Sequence, residues 1–185
     1  MSNVQYPEHK ERVLLISDRI TSASVKDVIE KILSINSDDD KKEEIYQDWE
    51  RTPIRLFINS YGGSVYDGLA LVDVIKNSQT PVHTICIGSC MSAAFWIWLA
   101  GERRIIGEFA TLMFHDLSGF AADTSEGIKQ ELTEILRLQN ILVAEIVSKS
   151  MVEQATLEDY ITRKAEWYIP AKEAIALKLA DCYYK

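Results

Sequence analysis

The sequence predicts a single α/β domain in which parallel strands alternate with helices. Short runs of branched apolar residues take turns along the chain with stretches whose apolar residues follow helical spacing. The length of 185 residues suits one domain, and neither a repeat nor a linker divides it, so we expect one domain over residues 1–185. Hydrophobic residues make up 47% and charged residues 26%, as in globular rather than disordered chains.

The predicted strands are short apolar runs bounded by turn residues. Pro53 and Pro81 each precede one of them, and Gly88 ends the second of these. A short N-terminal segment, residues 1–11, comes before the first. We expect strands over residues 12–17, 54–59, 82–87, 103–107 and 110–115.

The predicted helices lie between the strands, where apolar residues recur every three or four positions. Ser24 is followed three residues later by Asp27, a pattern that resembles a capping box. Thr156 and Asp159 repeat it, and Pro170 suits the first position of a last helix. We expect helices over residues 24–36, 65–77, 91–100 and 124–149, then two that begin at 156 and 170.

Residues 37–51 form a charged insertion without an apolar face. We interpret it as a solvated loop or a frayed continuation of the preceding helix, because runs of mixed charge are most often solvated. The alternative interpretation is an acidic docking site.

Charge and cysteine content exclude several classes of function. The 20 Lys plus Arg and 28 Asp plus Glu give a net charge of −8, which argues against nucleic acid and anionic membranes as partners. No signal peptide is predicted, and the apolar run over residues 85–100 is short for a membrane span and is broken by Gly and Ser. Three cysteines without paired spacing favour a reducing cytoplasm, and we expect no metal or other cofactor.

Two strand-to-helix junctions carry small residues where chemistry could occur. In NSYGGS, Gly62 and Gly63 permit close approach of a substrate and offer amides to an oxyanion, although such turns are more often structural. In GSCMSAA, Ser89 or Ser92 could simply cap a helix. Cys90 is a rival nucleophile, but a Cys in so apolar a run is more often a core residue.

A serine nucleophile needs a base, and the chain has three histidines. His9 lies in the polar N-terminal segment, and His83 lies within a strand, away from its helix-facing end. His115 ends the strand ATLMFH, at the edge of a parallel sheet where ligands collect. His115 is therefore the candidate base.

Four segments taken in order resemble the proteolytic subunit of the Clp protease: NSYGGSVYDGLA, ICIGSCMSAAFW, TLMFH and WYIPAKEAIALKLAD. The resemblance covers roughly residues 12–181. The family's N-S-P-G-G turn is NSYGG here, and its G-x-x-x-S nucleophile segment is matched by residues 88–92. The resemblance implies a serine endopeptidase with Ser92 as nucleophile, His115 as base, and the amides of Gly63 and Ala93 as the oxyanion hole.

The third member of the triad departs from the family, which has an aspartate two residues before an aromatic residue. Counting back from Tyr168 places Glu166 in that position. A glutamate can orient an imidazole, but its extra methylene changes its reach. The alternatives are that Glu166 is a surface carboxylate in a weak site, or that Asp159 or Asp116 replaces it.

The resemblance also implies a crotonase-like fold of repeated βα units, with a protruding handle helix in the region of residues 118–150. Implied partners are peptide or unfolded protein substrates, further copies of the chain in heptameric rings that could stack as a tetradecamer, and an ATP-dependent unfoldase. The short N-terminal segment, the charged insertion and the bulky Ser118-Gly119-Phe120 depart from the family.

Three other functions stay open at this point. A catalytically weak or inactive Clp-like subunit would keep the fold, and Glu166 in place of aspartate motivates this alternative. A crotonase-type acyl-CoA enzyme would share the fold and the amide pair but lacks a catalytic acid near them. A viral head-maturation-type protease would use the same chemistry on a dedicated substrate.

Overall fold

The computed structural model describes residues 11–117 and 124–185. Its strands and helices alternate as the sequence predicts. In chain order they are β1 (Val13–Ile16), α1 (Ser22–Ile45), β2 (Ile54–Ser60), α2 (Val65–Asn77), β3 (Val82–Met91), α3 (Ala93–Leu99), β4 (Arg103–Ile106), β5 (Thr111–Phe114), α4 (Ser125–Lys149), α5 (Gln154–Arg163), β6 (Trp167–Pro170), α6 (Ala171–Ala176) and β7 (Cys182–Tyr183). Two predictions fall wholly or partly outside the described residues: the N-terminal segment 1–11, and the first part of the handle region, including Ser118-Gly119-Phe120.

One mainly parallel sheet organises the described residues, in the order β1-β2-β3-β4-β7. Burial alternates along β1 and β2, so one face of these strands packs against the core while Val13 and Leu15 stay exposed. The helix α3 is buried along its whole length and forms part of the core. Its Phe95 and Trp98 are among the largest fully buried side chains of the protein. No helix in the described part of the chain is long and apolar enough to cross a membrane.

The strand β3 pairs with two different neighbours, and this division shapes the site. Its first half pairs with β4, from His83 to Cys86, and its second half pairs with β5, from Ser89 to Met91. Between the halves Gly88 has φ +76°, and a Cβ there would lie 2.6 Å from the Asn59 Oδ1. The end of β3 therefore lies beside the end of β5.

Of the two interpretations of residues 37–51, a continuation of the preceding helix agrees with the structure as far as Ile45, and a solvated loop is wrong over that part. The helix α1 continues to Ile45, past the predicted end near Asn36, because Asp39 turns inward and is fully buried. Arg12 donates from Nη1 to Asp39 Oδ2 at 2.8 Å and also from Nη2 to Oδ1, and Thr80 donates its hydroxyl at 2.7 Å. A buried carboxylate that is paired in this way can lie inside a helix that the local pattern ends too early.

Ionisation of this buried carboxylate is favoured by its partners. Burial raises the pKa of Asp39, but the hydrogen bonds from Arg12 and Thr80 lower it by more, so the pKa lies below its ordinary value. On the outer side of the helix, Arg51 binds Asp40 and Glu43, each at 2.6 Å. Residues 37–45 of the charged insertion therefore form the end of a helix whose carboxylates are bound by Arg12 and Arg51.

Several predicted boundaries are wrong by a few residues. The capping box of α1 joins Thr21 and Ser24, which places the N-cap three residues before the predicted one. The helix α5 begins at Gln154 rather than at Thr156, and Pro170 ends β6 as the N-cap of α6. The strands β6 and β7 were not predicted, because runs of two to four residues carry too little periodicity to distinguish them from loops.

Candidate active site

Ser92 lies at the junction between β3 and α3 in a strained backbone conformation. Its φ of 52° and ψ of −125° fall in a region that side-chain-bearing residues rarely adopt. Its side chain does not cap the helix. Instead the Ser92 Oγ lies 2.8 Å from the His115 Nε2. This distance is that of a hydrogen bond between a nucleophile and its base.

The ladder between β3 and β5 explains why these two side chains meet. Met91 pairs with Met113, and the Ser92 amide donates to the Met113 carbonyl at 3.0 Å. His115 follows β5 directly, just as Ser92 follows β3. Two residues that are 23 positions apart in the chain are thus brought to the same edge of the sheet.

The paired glycines lie against this junction. Gly62 has φ +95°, and a Cβ there would lie 2.7 Å from the Met91 carbonyl and 2.8 Å from the Ser92 Cβ. A Cβ on Gly63 would lie 2.2 Å from the Ile20 carbonyl. Only glycine fits at both positions, because the backbone of one segment touches the next.

Two backbone hydrogen bonds fix the glycine turn. The Ile20 amide donates to the Gly62 carbonyl, and the Ser64 amide donates to the Ile20 carbonyl, both at 2.9 Å. These bonds do not use the amide of Gly63. The turn therefore holds Gly62 against the segment around Ser92 and leaves the Gly63 amide outside the two hydrogen bonds to Ile20.

The other two candidate nucleophiles lie in β3 and are engaged elsewhere. Cys90 is fully buried, and burial raises the pKa of its thiol well above its ordinary value. The Ser89 hydroxyl lies 3.2 Å from the Asn59 Oδ1 and is also buried. Neither side chain reaches an open surface, which leaves Ser92 as the accessible hydroxyl of this segment.

Glu166 and His115 both flank the end of the β5–β6 ladder, but their side chains have different hydrogen-bond partners. The strands β5 and β6 pair antiparallel, and their pairing ends with Phe114 opposite Trp167; His115 and Glu166 are the next residues beyond this last pair. The Glu166 carboxylate is exposed and accepts a hydrogen bond from the Tyr168 hydroxyl. Within the described residues, no carboxylate hydrogen-bonds His115.

The alternative acids do not take that place either. Asp159 lies on α5 and pairs with Arg163 one turn later. Asp116 is half-buried beside His115 in the chain, and no hydrogen bond of its side chain occurs within the described residues.

Two further residues near the site were missed by sequence reasoning. Gln139 on α4 is buried, and its Oε1 accepts the Leu117 amide at 2.7 Å, which ties the segment after His115 to the long helix. The only signal for it was a polar residue on the apolar side of a helix. Tyr168 stands two residues from Glu166, so strand periodicity could have placed both on one face.

An apolar recess lies beside Ser92 and His115. It is lined by Val65, Phe95, Met113, Leu117 and Leu142. On the other side of the glycine turn a more polar cleft is lined by residues 17–19 and 59–63. Ser92 and His115 thus line a small apolar recess, and a more polar cleft lies at the glycine turn.

Comparison with known proteins gives one consistent family. The family model described as Clp protease matches residues 3–183. An ATP-dependent Clp protease proteolytic subunit 1 from Prochlorococcus marinus is 27% identical over 174 residues, which cover 93% of this chain and 83% of that protein. A proteolytic subunit 2 from the same species is 31% identical over 179 residues, which cover 92% of this chain and 80% of that protein.

A solved structure supports the fold independently. A ClpP1 mutant from Listeria monocytogenes matches with a TM-score of 0.78 at 24% identity, and the match covers 94% of this chain and 91% of that one. The Clp-type, crotonase-like fold expected from the resemblance is therefore confirmed.

Proposed function

The chain belongs to the Clp protease family, whose model covers residues 3–183, and we propose that it is a serine endopeptidase that cleaves peptides or unfolded proteins. The observation that carries this proposal is the 2.8 Å contact between the Ser92 Oγ and the His115 Nε2 at a strained backbone junction. Strain at Ser92 exposes the hydroxyl and fixes its direction.

In the proposed reaction, the Ser92 Oγ attacks a peptide carbonyl carbon while His115 removes the hydroxyl proton. The amides of Gly63 and Ala93 would hold the oxyanion, each donor contributing about 3 kcal/mol to the transition state. His115 then gives its proton to the leaving amine, and an acyl-enzyme forms. Water, deprotonated by His115, cleaves the ester and restores Ser92.

Glu166 is proposed as the acid that orients His115 and stabilises its imidazolium form. The antiparallel register of β5 and β6 supports this role, because Glu166 and His115 are the residues that come next after its last pair, Phe114 and Trp167. In the structure the Glu166 Oε2 accepts from the Tyr168 hydroxyl, so the carboxylate has to turn toward His115 to act in this way.

We also propose that the chain works as a ring-shaped homo-oligomer, with heptameric rings that could stack as a tetradecamer and serve an ATP-dependent unfoldase. One supporting feature is the outer face of α4, where Ile128, Leu132 and Leu136 recur every four residues and are each about half exposed. Such an apolar stripe is typical of a helix that packs against another chain. Cys86 and Cys90 are free and buried, which suits the proposed cytoplasmic location.

Hydrolysis of short fluorogenic peptides tests the proposal directly. Ser92→Ala should abolish hydrolysis, while Ser148→Ala, which removes an exposed hydroxyl on α4, should leave it unchanged. Equal hydrolysis by the Ser92→Ala protein would refute the assignment of the nucleophile.

The second candidate function is a catalytically weak or inactive Clp-like subunit. It is favoured by one observation, the engagement of Glu166 by Tyr168 rather than by His115. A wild-type protein that assembles but neither hydrolyses peptides nor reacts with a fluorophosphonate would support this alternative.

A further inference from the structure

Three side chains at the end of the β5–β6 ladder share one face. Residues that are opposite each other in an antiparallel pair point to the same side, as do alternate residues of one strand. Met113 pairs with Tyr168, and the same register continued one residue past the Phe114–Trp167 pair puts His115, Glu166 and Tyr168 on one side of the two strands. The opposite side carries Phe114 and Trp167, which are buried.

Glu166 can reach either of its two neighbours on this face. The Cβ atoms of directly opposite residues in such a ladder lie about 5 Å apart, within reach of a glutamate side chain and an imidazole. Tyr168 lies two residues along the same strand, and its hydroxyl donates to the Glu166 Oε2. The carboxylate therefore has two competing donors, and in this structure the phenol holds it.

We propose that Tyr168 is a positioning residue that holds the Glu166 carboxylate away from His115, so that the acid joins the triad only after this hydrogen bond breaks. The inference rests on the proposed function, in which Glu166 is the acid of the triad. It adds that the Tyr168 hydroxyl sets how often the triad is complete.

The two competing contacts differ in when they are strong. The strength of the phenol's hydrogen bond to the carboxylate does not depend on the step of the reaction, and this bond raises the pKa of Tyr168 because it stabilises the protonated phenol. His115 attracts the carboxylate strongly only when it becomes an imidazolium, during attack by Ser92. In the resting protein the carboxylate therefore stays hydrogen-bonded to Tyr168, and each turnover must break that hydrogen bond.

Removal of one hydroxyl tests this idea. Tyr168→Phe keeps the ring, which is half exposed, and deletes only the donor. The probe is a fluorophosphonate, which Ser92 attacks with loss of fluoride while His115 takes the proton. We expect Tyr168→Phe to label about ten- to a hundredfold faster than wild type, the factor that corresponds to one hydrogen bond to a charged acceptor.

Two more variants make the test specific. Glu166→Gln should return the Tyr168→Phe protein to the wild-type rate, since the gain depends on the released carboxylate. Tyr183→Phe, which removes a hydroxyl from β7 at the other edge of the sheet, should label like wild type. The acid limb of the pH profile of labelling should move to higher pH in Tyr168→Phe alone, because a facing carboxylate stabilises the imidazolium.

The possible outcomes separate the inference from the proposed function. If Ser92 is labelled in every protein but Tyr168→Phe is no faster than wild type, or is slower, the inference is wrong and the peptidase assignment stands. A gain that persists in the double variant with Glu166→Gln also overturns it. If no variant is labelled at Ser92, the proposed function itself fails.

Discussion

Replacement of Asp39 by asparagine should destabilise the fold far more than its place in a charged segment suggests. The carboxylate is fully buried, and the side chain of its partner Arg12 is 6% exposed. If either group lost its charge, water could not solvate the charge that remained. Asparagine keeps the volume and one acceptor oxygen but leaves the guanidinium buried without a counter-charge. The substitution therefore removes one member of a buried ion pair while it preserves the packing.

The expected loss follows from that burial. A buried ion pair that loses one partner costs about 3–5 kcal/mol, and the oxygen that remains in Asp39→Asn argues for about 3 kcal/mol. For a chain of this length that corresponds to a fall of about 10 °C in the melting temperature. Urea unfolding followed by circular dichroism, at one protein concentration, measures the free energy of unfolding.

The adjacent residue provides the control. Asp40 lies on the same helix, is 52% exposed and also pairs with an arginine, Arg51. Asp40→Asn should cost less than about 1 kcal/mol, because an exposed ion pair contributes little. Equal losses in Asp39→Asn and Asp40→Asn would show that the burial of Asp39 does not determine stability as reasoned here.

Lowering the pH should reduce the difference in melting temperature between the wild type and Asp39→Asn. The pKa of Asp39 is depressed in the folded state, so its contribution to stability is present above about pH 4 and is lost as pH falls through the folded pKa. Melting temperatures between about pH 5 and pH 2 test this, and a difference that stays constant would contradict it. Gly62→Ala should slow fluorophosphonate labelling of Ser92 about a hundredfold, because its Cβ displaces the nucleophile loop, and a rate near wild type would refute the close approach. Gln139→Met should lower the free energy of unfolding by about 1 kcal/mol and slow labelling, since the Leu117 amide loses its acceptor; unchanged stability would show that this bond is replaced by water.

The sequence was sufficient for those parts of the site that depend on local pattern and order. Two glycines at a strand end, a serine after the next strand and a histidine after another are each weak signals. Their order along a predicted parallel sheet places all of them at one edge. The structure brings Ser92 and His115 into contact there, and it presses Gly62 against both Met91 and Ser92.

What the sequence could not predict depends on partners far along the chain. Asp39 is paired with Arg12, which is 27 residues away in the chain. Helical periodicity does not show that an acidic residue has a buried cationic partner from another segment. The hydrogen bond between Glu166 and Tyr168 could not be predicted, for a related reason. The acid was sought by its distance from a motif, whereas its direction is set by a hydroxyl on the same strand face.

The central claim is that Ser92 is a nucleophile activated by His115. Mass-spectrometric mapping of the fluorophosphonate adduct on the intact protein tests it most directly. We predict one adduct, on Ser92, that is absent from Ser92→Ala and at least a hundredfold slower to form in His115→Ala, given the usual contribution of a general base. An adduct on another residue, or equal labelling without the His115 imidazole, would contradict the account.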